Sequence, residues 1–225
     1  MKIWHISDTH TYHDLLKIPY DIDMIIHSGD CSNPRDPYNN ESEVRNFIDW
    51  FKMIPVKYKI FVAGNHDTSI EKRLVTIGDF GESGIIYLEN DSIIIEGIKF
   101  FGSPYTPNFG NWAFMKDRNK LERLWVNAIP DDTDVIIVHG PPKGILDKAY
   151  DRDHKMESCG DKSLLNRVLE IQPAYMLFGH IHNNKDIINA GLLKLSSYDT
   201  WFSNGSVVTD GKFGKLSSNG NIILL

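Results

Sequence analysis

The sequence predicts an α/β protein with mixed sheets, and three observations carry the prediction. Apolar runs of strand length recur, segments of helical spacing lie between some of them, and two adjacent runs meet at a tight hairpin. The runs are "KIWHI", "DMIIH", "KIFVA", "GIIYL", "SIIIEG", "IKFFG", "DVIIVH", "AYMLFG", "LLKLSS", "SVVTD" and "NIILL". The helical segments are "SEVRNFIDWFKMI", "DRNKLERLWVNAI" and "DKSLLNRVLEIQP". The first places Val44, Phe47, Ile48 and Phe51 on one face. The second does so with Leu121, Leu124, Trp125 and Ala128, and the third with Leu164, Leu165, Val168 and Leu169. Asp117 and Asp161 stand where N-caps would, and Pro173 closes the third helix. Strands alternating with helices imply parallel pairing, whereas the turn at Gly97 implies an antiparallel pair, so the sheets should be mixed.

The 225 residues suit one compact domain, residues 1–225, with no repeat, low-complexity segment or linker. Hydrophobic residues make up 41% and charged residues 24%, the proportions of an ordinary globular protein, and no apolar run is long enough to cross a membrane. The start "MKIWHISDTH" lacks a small-residue cleavage site and does not read as a signal peptide. Two distant cysteines, Cys31 and Cys159, give no disulfide framework, so a cytoplasmic, reducing location is the expectation. The sequon Asn204-Gly205-Ser206 then reads as accidental. A net charge of −6 with singly scattered Lys and Arg argues against long nucleic acid as a partner, though not against a small phosphate-bearing substrate.

Metal-ligating residue types gather just after the strand-like runs. They are Asp8 and His10, then Asp30 after Gly29, then Asn65, His66 and Asp67 after Gly64, then His139, then His180 and His182 after Gly179. Ligands of open α/β sheets collect at the carboxyl ends of strands. In extended chain, residues i and i+2 face the same side, so Asp8 with His10, and His180 with His182, can grip one ion together. Glycine before Asp30, Asn65 and His180 lets the chain turn with no Cβ in the way. Mixed oxygen and imidazole donors suit Mn²⁺, Fe or Zn²⁺ better than Ca²⁺, and so many donors suit two ions about 3.5–4 Å apart. A single buried histidine is more often a hydrogen-bonded core residue, and that is the reading of His5 and His27. The ordered set of five blocks is what lifts the signal above such cases.

That set, Asp8-x-His10, Gly29-Asp30, Gly64-Asn65-His66-Asp67, His139 and Gly179-His180-x-His182, resembles the calcineurin-like metallophosphoesterases from residue 3 to about residue 210. The stretches "GSPYTPNFGNWAF", "HGPPKGILD" and "GHIHNN" resemble its brain-type metallophosphoesterase-domain branch, regarded as phosphodiesterases. The resemblance implies a four-layer α/β/β/α sandwich of two mixed sheets flanked by helices. It implies two divalent ions, Mn²⁺ first, with Fe, Zn²⁺ or Mg²⁺ as alternatives. Asp8, His10 and His182 would hold one ion, Asn65, His139 and His180 the other, and Asp30 would bridge them. A hydroxide bridging the ions would attack phosphorus. His66 would be the general acid, with Asp67 fixing its tautomer and Asn65 also touching a phosphate oxygen. Asp67 could alternatively cap the helix of "TSIEKRL". In many family members an Asn or Glu closely follows the Gly-Asp block. Here Cys31-Ser32-Asn33 stands there, and the corresponding contact stays open.

Tyr105, Phe109 and Trp112 are candidate substrate contacts, since aromatics in a loop can stack on a ring. The plainer reading, packing at the sandwich edge, weighs at least equally for Phe114. His13, Arg35 and His154 are plausible phosphate contacts, though plain solvation is the favoured reading of each. The leading expectation is a phosphodiesterase for a small or nucleotide-like diester. The alternatives are a phosphomonoesterase, such as a protein phosphatase, or a non-catalytic binder on the same fold. The retained ligand set argues against the binder.

Overall fold

The computed structural model describes residues 1–151, 153–211 and 214–225. In chain order its elements are β1 (Lys2–Ile6), β2 (Met24–His27), α1 (Pro37–Met53), β3 (Tyr58–Phe61), α2 (Thr68–Glu71), α3 (Ile77–Glu82), β4 (Ile86–Tyr87), β5 (Asp91–Ile95), β6 (Ile98–Ser103), β7 (Thr106–Pro107), β8 (Met115–Lys116) and α4 (Arg118–Ala128). There follow β9 (Val135–Val138), β10 (Lys148–Tyr150), β11 (Met156–Ser158), α5 (Lys162–Ile171), β12 (Tyr175–Phe178), β13 (Gly191–Lys194), β14 (Trp201–Asn204) and β15 (Asn221–Leu224).

Two mixed sheets form the centre. One has the order β15-β1-β2-β3-β4, the other β13-β14-β12-β9-β6-β5. Strands β1 to β4 are parallel and β15 pairs antiparallel to β1; in the second sheet β14, β12, β9 and β6 are parallel, with β13 and β5 as antiparallel edges. The central parallel strands β9 and β12 read as unbroken apolar runs because both faces are covered. In β1, Ile3 points between the sheets while Trp4 and Ile6 point out; in β12, Leu177 points between them while Met176 and Phe178 point out. Ile3, Ile26, Ile60, Phe100, Val135 and Leu177 fill the layer between the sheets. Val44, Phe47 and Phe51 of α1 cover the first sheet, and Leu121, Trp125, Leu164 and Val168 of α4 and α5 cover the second. This is the expected four-layer sandwich. No helix among the described residues is long and apolar enough to cross a membrane.

The expected hairpin is present. Ile95 pairs with Ile98, and Glu96 and Gly97 both have positive φ, 51° and 82°, as a two-residue type I′ turn requires. Asp36, followed by Pro37, starts α1 and its carboxylate accepts from the Asn39 N–H, so the helix opens five residues before the apolar stripe suggested. Asp161 caps α5 through the Ser163 and Leu164 N–H groups, whereas Asp117 makes no such bond. "SVVTD" is not a strand: Ser206 and Val208 make only single bridges, to Ser7 and Leu216. Asn204 of the sequon is buried, its amide donating to Ile181 O, so the fold itself puts it out of a glycan's reach.

Candidate metal centre

The carboxyl ends of β1, β2 and β3 in one sheet, and of β9 and β12 in the other, open onto the same side of the molecule. They bring three groups together: Asp8, His10 and His182; Asp30, His139 and His180; and His10, Asp30 and His66, with the ligand atoms of each group within 4.8 Å of one another. The backbone is bent to do it. Asp8, His10, Asp30 and His180 have φ of 53°, 41°, 60° and 70°, a left-handed region that costs about 1 kcal/mol or more for a residue with a Cβ, though Asp and His tolerate it better than most. Gly179 is demanded by close approach rather than by φ: a Cβ there would lie 2.0 Å from Ser7 Oγ and 2.1 Å from Asp8 Oδ2.

Tautomers follow from the partners, because a carbonyl oxygen only accepts. Nδ1–H of His139 donates to Ser28 O at 2.8 Å, that of His10 to Ser32 O at 3.0 Å and that of His66 to Asn33 O at 3.0 Å. One loop, the turn after β2, therefore orients three imidazoles, and each presents Nε2 inward. The Nε2 atoms then face other acceptors. His139 Nε2 stands 3.3 Å from Asp30 Oδ2 and 3.1 Å from Asn65 Oδ1; His182 Nε2 stands 3.1 Å from Asp8 Oδ1; His10 Nε2 stands 3.9 Å from Asp30 Oδ2. Lone pairs converging on carboxylates in a buried setting need a cation between them, so the donor set fits divalent metal.

Burial disfavours the protonated form of His139, but the Asp30 carboxylate overrides it and lifts the group to about 9, so a proton holds the place of the cation until His139 gives it up to ligate. Burial lowers His10 to about 4 and His180 to about 3, leaving neutral imidazoles able to ligate. Burial works against the charge on Asp8, but His182 holds it below the usual carboxylate range; Asp30 is held well below by His139 in the same way.

Asp67 does not orient His66. Its carboxylate accepts the backbone N–H groups of Asp30, Cys31, Ser32 and Gly64 and the Ser32 hydroxyl, all between 2.7 and 3.2 Å. Those donors surround the buried side chain and consume its lone pairs, and the His66 ring turns to Asn33 instead. Nor does the Asp67 side chain cap α2. It staples the turn after β2 to the turn after β3. Burial, then the nearby Asp30 charge, push its pKa up against the pull of these donors.

The sequence reading missed Asn40. Buried on α1, it donates to Ser32 Oγ, Pro34 O and His66 O, and accepts from the Ser69 N–H and hydroxyl. An Asn inside a helix is a poor helix former, which was the available signal. Asn33 answers the open contact after the Gly-Asp block: its carbonyl holds His66 and its amide donates to His10 O. His5 bonds Ser203 and Ser28, and His27 bonds Thr9 and the Gly29 N–H, both as core histidines.

A cleft of about 580 Å³ runs from Asp30, Asn65, His66 and His180 along Phe109, Trp112 and Arg118 to Cys159. A second, about 620 Å³, lies on the other side, lined by His10, Thr11, Tyr12, Asn33 and Lys215; His66, His182 and Asp210 border both. Phe109 and Trp112 stand on the first cleft as expected. Tyr105 does not: partly buried, it meets Phe114 edge-on at 5.8 Å with Lys116 over its ring, because β7 and β8 pin that stretch to the core. Phe114 is buried. His13 is also buried, bonded to Asn46 and packed on Phe47 and Trp50, rather than solvated; His154 is exposed.

The sequence pattern of the calcineurin-like phosphoesterases matches residues 1–184. The chain belongs to the calcineurin-like phosphoesterase family. Human metallophosphoesterase domain-containing protein 1 is 32% identical over 228 residues, covering 91% of this chain and 65% of that protein. A UPF0046 protein of Caenorhabditis elegans is 34% identical over 204 residues, covering 85% of this chain and 67% of its own. The chain thus spans about two thirds of the length of these relatives. The phosphopantetheinyl hydrolase of Mycobacterium tuberculosis shares the fold at a TM-score of 0.61 and 14% identity, over 92% of this chain and 89% of that one. Residues 185–225 of this calcineurin-like chain lie beyond the matched pattern and contribute β13, β14 and β15, which complete both sheets.

Proposed function

We propose that the chain is a dimetal phosphodiesterase acting on a small or nucleotide-like diester. The observation that carries the diester reading is the pair of clefts meeting at His66 and His182. A phosphodiester has two organic arms, and each lobe can take one while phosphorus sits at their junction. A monoester would leave one lobe without a ligand. The clusters support the metal roles: Asp8, His10 and His182 would hold one ion, His139 and His180 with the neighbouring Asn65 the other, and Asp30, near ligands of both, would be shared. When bound, such ions neutralise phosphate charge and lower the pKa of water. The chain's own groups do the rest. Asn65 presents an amide toward the phosphate, His66 holds a proton beside the leaving oxygen, and Phe109, 57% exposed on the cleft wall, offers a face to an arm.

Loaded with Mn²⁺, the protein should cleave bis-p-nitrophenyl phosphate with a higher kcat/KM than p-nitrophenyl phosphate. The reverse order would establish the monoesterase alternative, and no turnover of either would favour a binding protein. Elemental analysis of the same preparation should find about two ions per chain. Asp30→Ala should lower that number, since its carboxylate faces ligands of both clusters; unchanged loading would remove its bridging role.

A further inference from the structure

We propose that Trp112, backed by Arg35, is a positioning residue for His66 and not a platform for substrate. The inference rests on the reading of His66 as general acid. His66 is half-buried at the junction of two clefts, where nothing but specific contacts can keep its ring in place. The bond from Nδ1 to Asn33 O fixes one atom and leaves the ring able to swing about it. His10 meets the ring edge-on, centroids 4.8 Å apart at 85°. Trp112 lies against it, centroids 4.1 Å apart and tilted by 36°. Together the three contacts hold the imidazole with Nε2 toward the cluster of His10 and Asp30.

The indole is itself held. The Arg35 guanidinium carbon lies over the ring, 3.8 Å from its centroid. Imidazole and guanidinium thus both sit close to van der Waals separation from the indole and leave less of its π surface open to a substrate ring. The backbone agrees: the N–H of Ala113, next to Trp112, donates to the carbonyl of Asn65, next to His66, at 3.0 Å. The indole is thereby registered to the strand end that carries the acid. Phe109, by contrast, is exposed and reaches the cleft 5.2 Å from the His180 ring, so stacking on substrate falls to it.

A double-mutant cycle on two diesters tests this: p-nitrophenyl methyl phosphate, with a good leaving group, and phenyl methyl phosphate, with a poor one. His66→Asn should lose far more on the phenyl ester. Trp112→Ala should show the same selectivity at smaller size, roughly 10-fold in kcat on the phenyl ester, in keeping with a small displacement of a catalytic group. KM for the nitrophenyl ester should hold. Trp112→Phe should restore most of the loss, Arg35→Ala should share its direction, and Trp112→Ala should add nothing in the His66→Asn background. A rise in KM on both esters that persists in that background would make Trp112 a substrate contact and overturn the proposal. Should Trp112→Ala not fold, Arg35→Ala and Trp112→Phe carry the test, and no selective loss in Arg35→Ala would count against it. If His66→Asn loses both esters equally together with metal, the acid reading fails and this inference with it. If His66→Asn is selective and the Trp112 and Arg35 variants are not, this inference alone fails.

Discussion

His66→Asn is expected to keep its metal ions, to lose about 10²–10⁴-fold in turnover of a diester with an alkoxide or phenoxide leaving group, and to retain much more on bis-p-nitrophenyl phosphate. An alkoxide such as a ribose oxygen needs a proton as its bond to phosphorus breaks. A p-nitrophenolate, the base of a fairly strong acid, needs one much less. Deleting the acid therefore separates substrates by leaving group. A ligand behaves otherwise, because weakened metal binding costs every substrate alike. The distinction matters here because the His66 ring lies within reach of the group formed by His10 and Asp30. Its Nδ1–H is committed to Asn33, which leaves Nε2 as the atom facing the cleft. His180→Asn serves as the control and should lose metal and both activities. Equal losses in His66→Asn, with reduced metal content, would make His66 a ligand.

The second large effect concerns stability. Asp67→Ala leaves four buried backbone N–H groups without their acceptor, those of Asp30, Cys31, Ser32 and Gly64. An orphaned buried donor costs about 1–3 kcal/mol, so even the low end for four groups amounts to about 4 kcal/mol. For a chain of this size that corresponds to roughly 10 °C in Tm. Asp67→Asn keeps one acceptor oxygen and should lose less. The same turn supplies the carbonyls that orient His139, His10 and His66, so metal affinity should fall with stability. Calorimetry of metal-free protein reads the first effect and isothermal titration with Mn²⁺ the second. A Tm within about 2 °C of the parent would show that Asp67 is not the staple the geometry describes.

What was legible in the sequence depended on range. Strands β2, β9 and β12 show as apolar runs because they are buried on both faces, while β1, β3, β6 and β15 still show because their apolar residues outnumber the few polar ones among them. The amphipathic stripes of α1, α4 and α5 show for the converse reason, one face being wet. The site residues were legible because each follows a strand end, where an imidazole or carboxylate contributes nothing to packing and so stands out against its neighbours. Short pieces were not legible. The two-residue strands β7 and β8 carry no period to read, and "SVVTD" is apolar because Val207 and Val208 are buried in a bridge-forming segment rather than a ladder.

By itself the sequence determined the α/β class, the hairpin at Glu96-Gly97 and the inventory of ligands, since all three rest on local spacing and on residue chemistry that does not change with context. Only the tertiary structure decided how those side chains are used. Asp67 and His66 are adjacent in the chain, which invites pairing, yet four backbone donors from two separate turns claim the carboxylate and a carbonyl from Asn33 claims the ring. Tyr105 and Trp112 lie seven positions apart in one loop, yet one ring enters the core and the other meets an imidazole from the opposite sheet. Hydrogen bonds and ring contacts act within about 4 Å of space, whatever the separation along the chain. The partners of a polar side chain are therefore set by which strand ends the two sheets bring together.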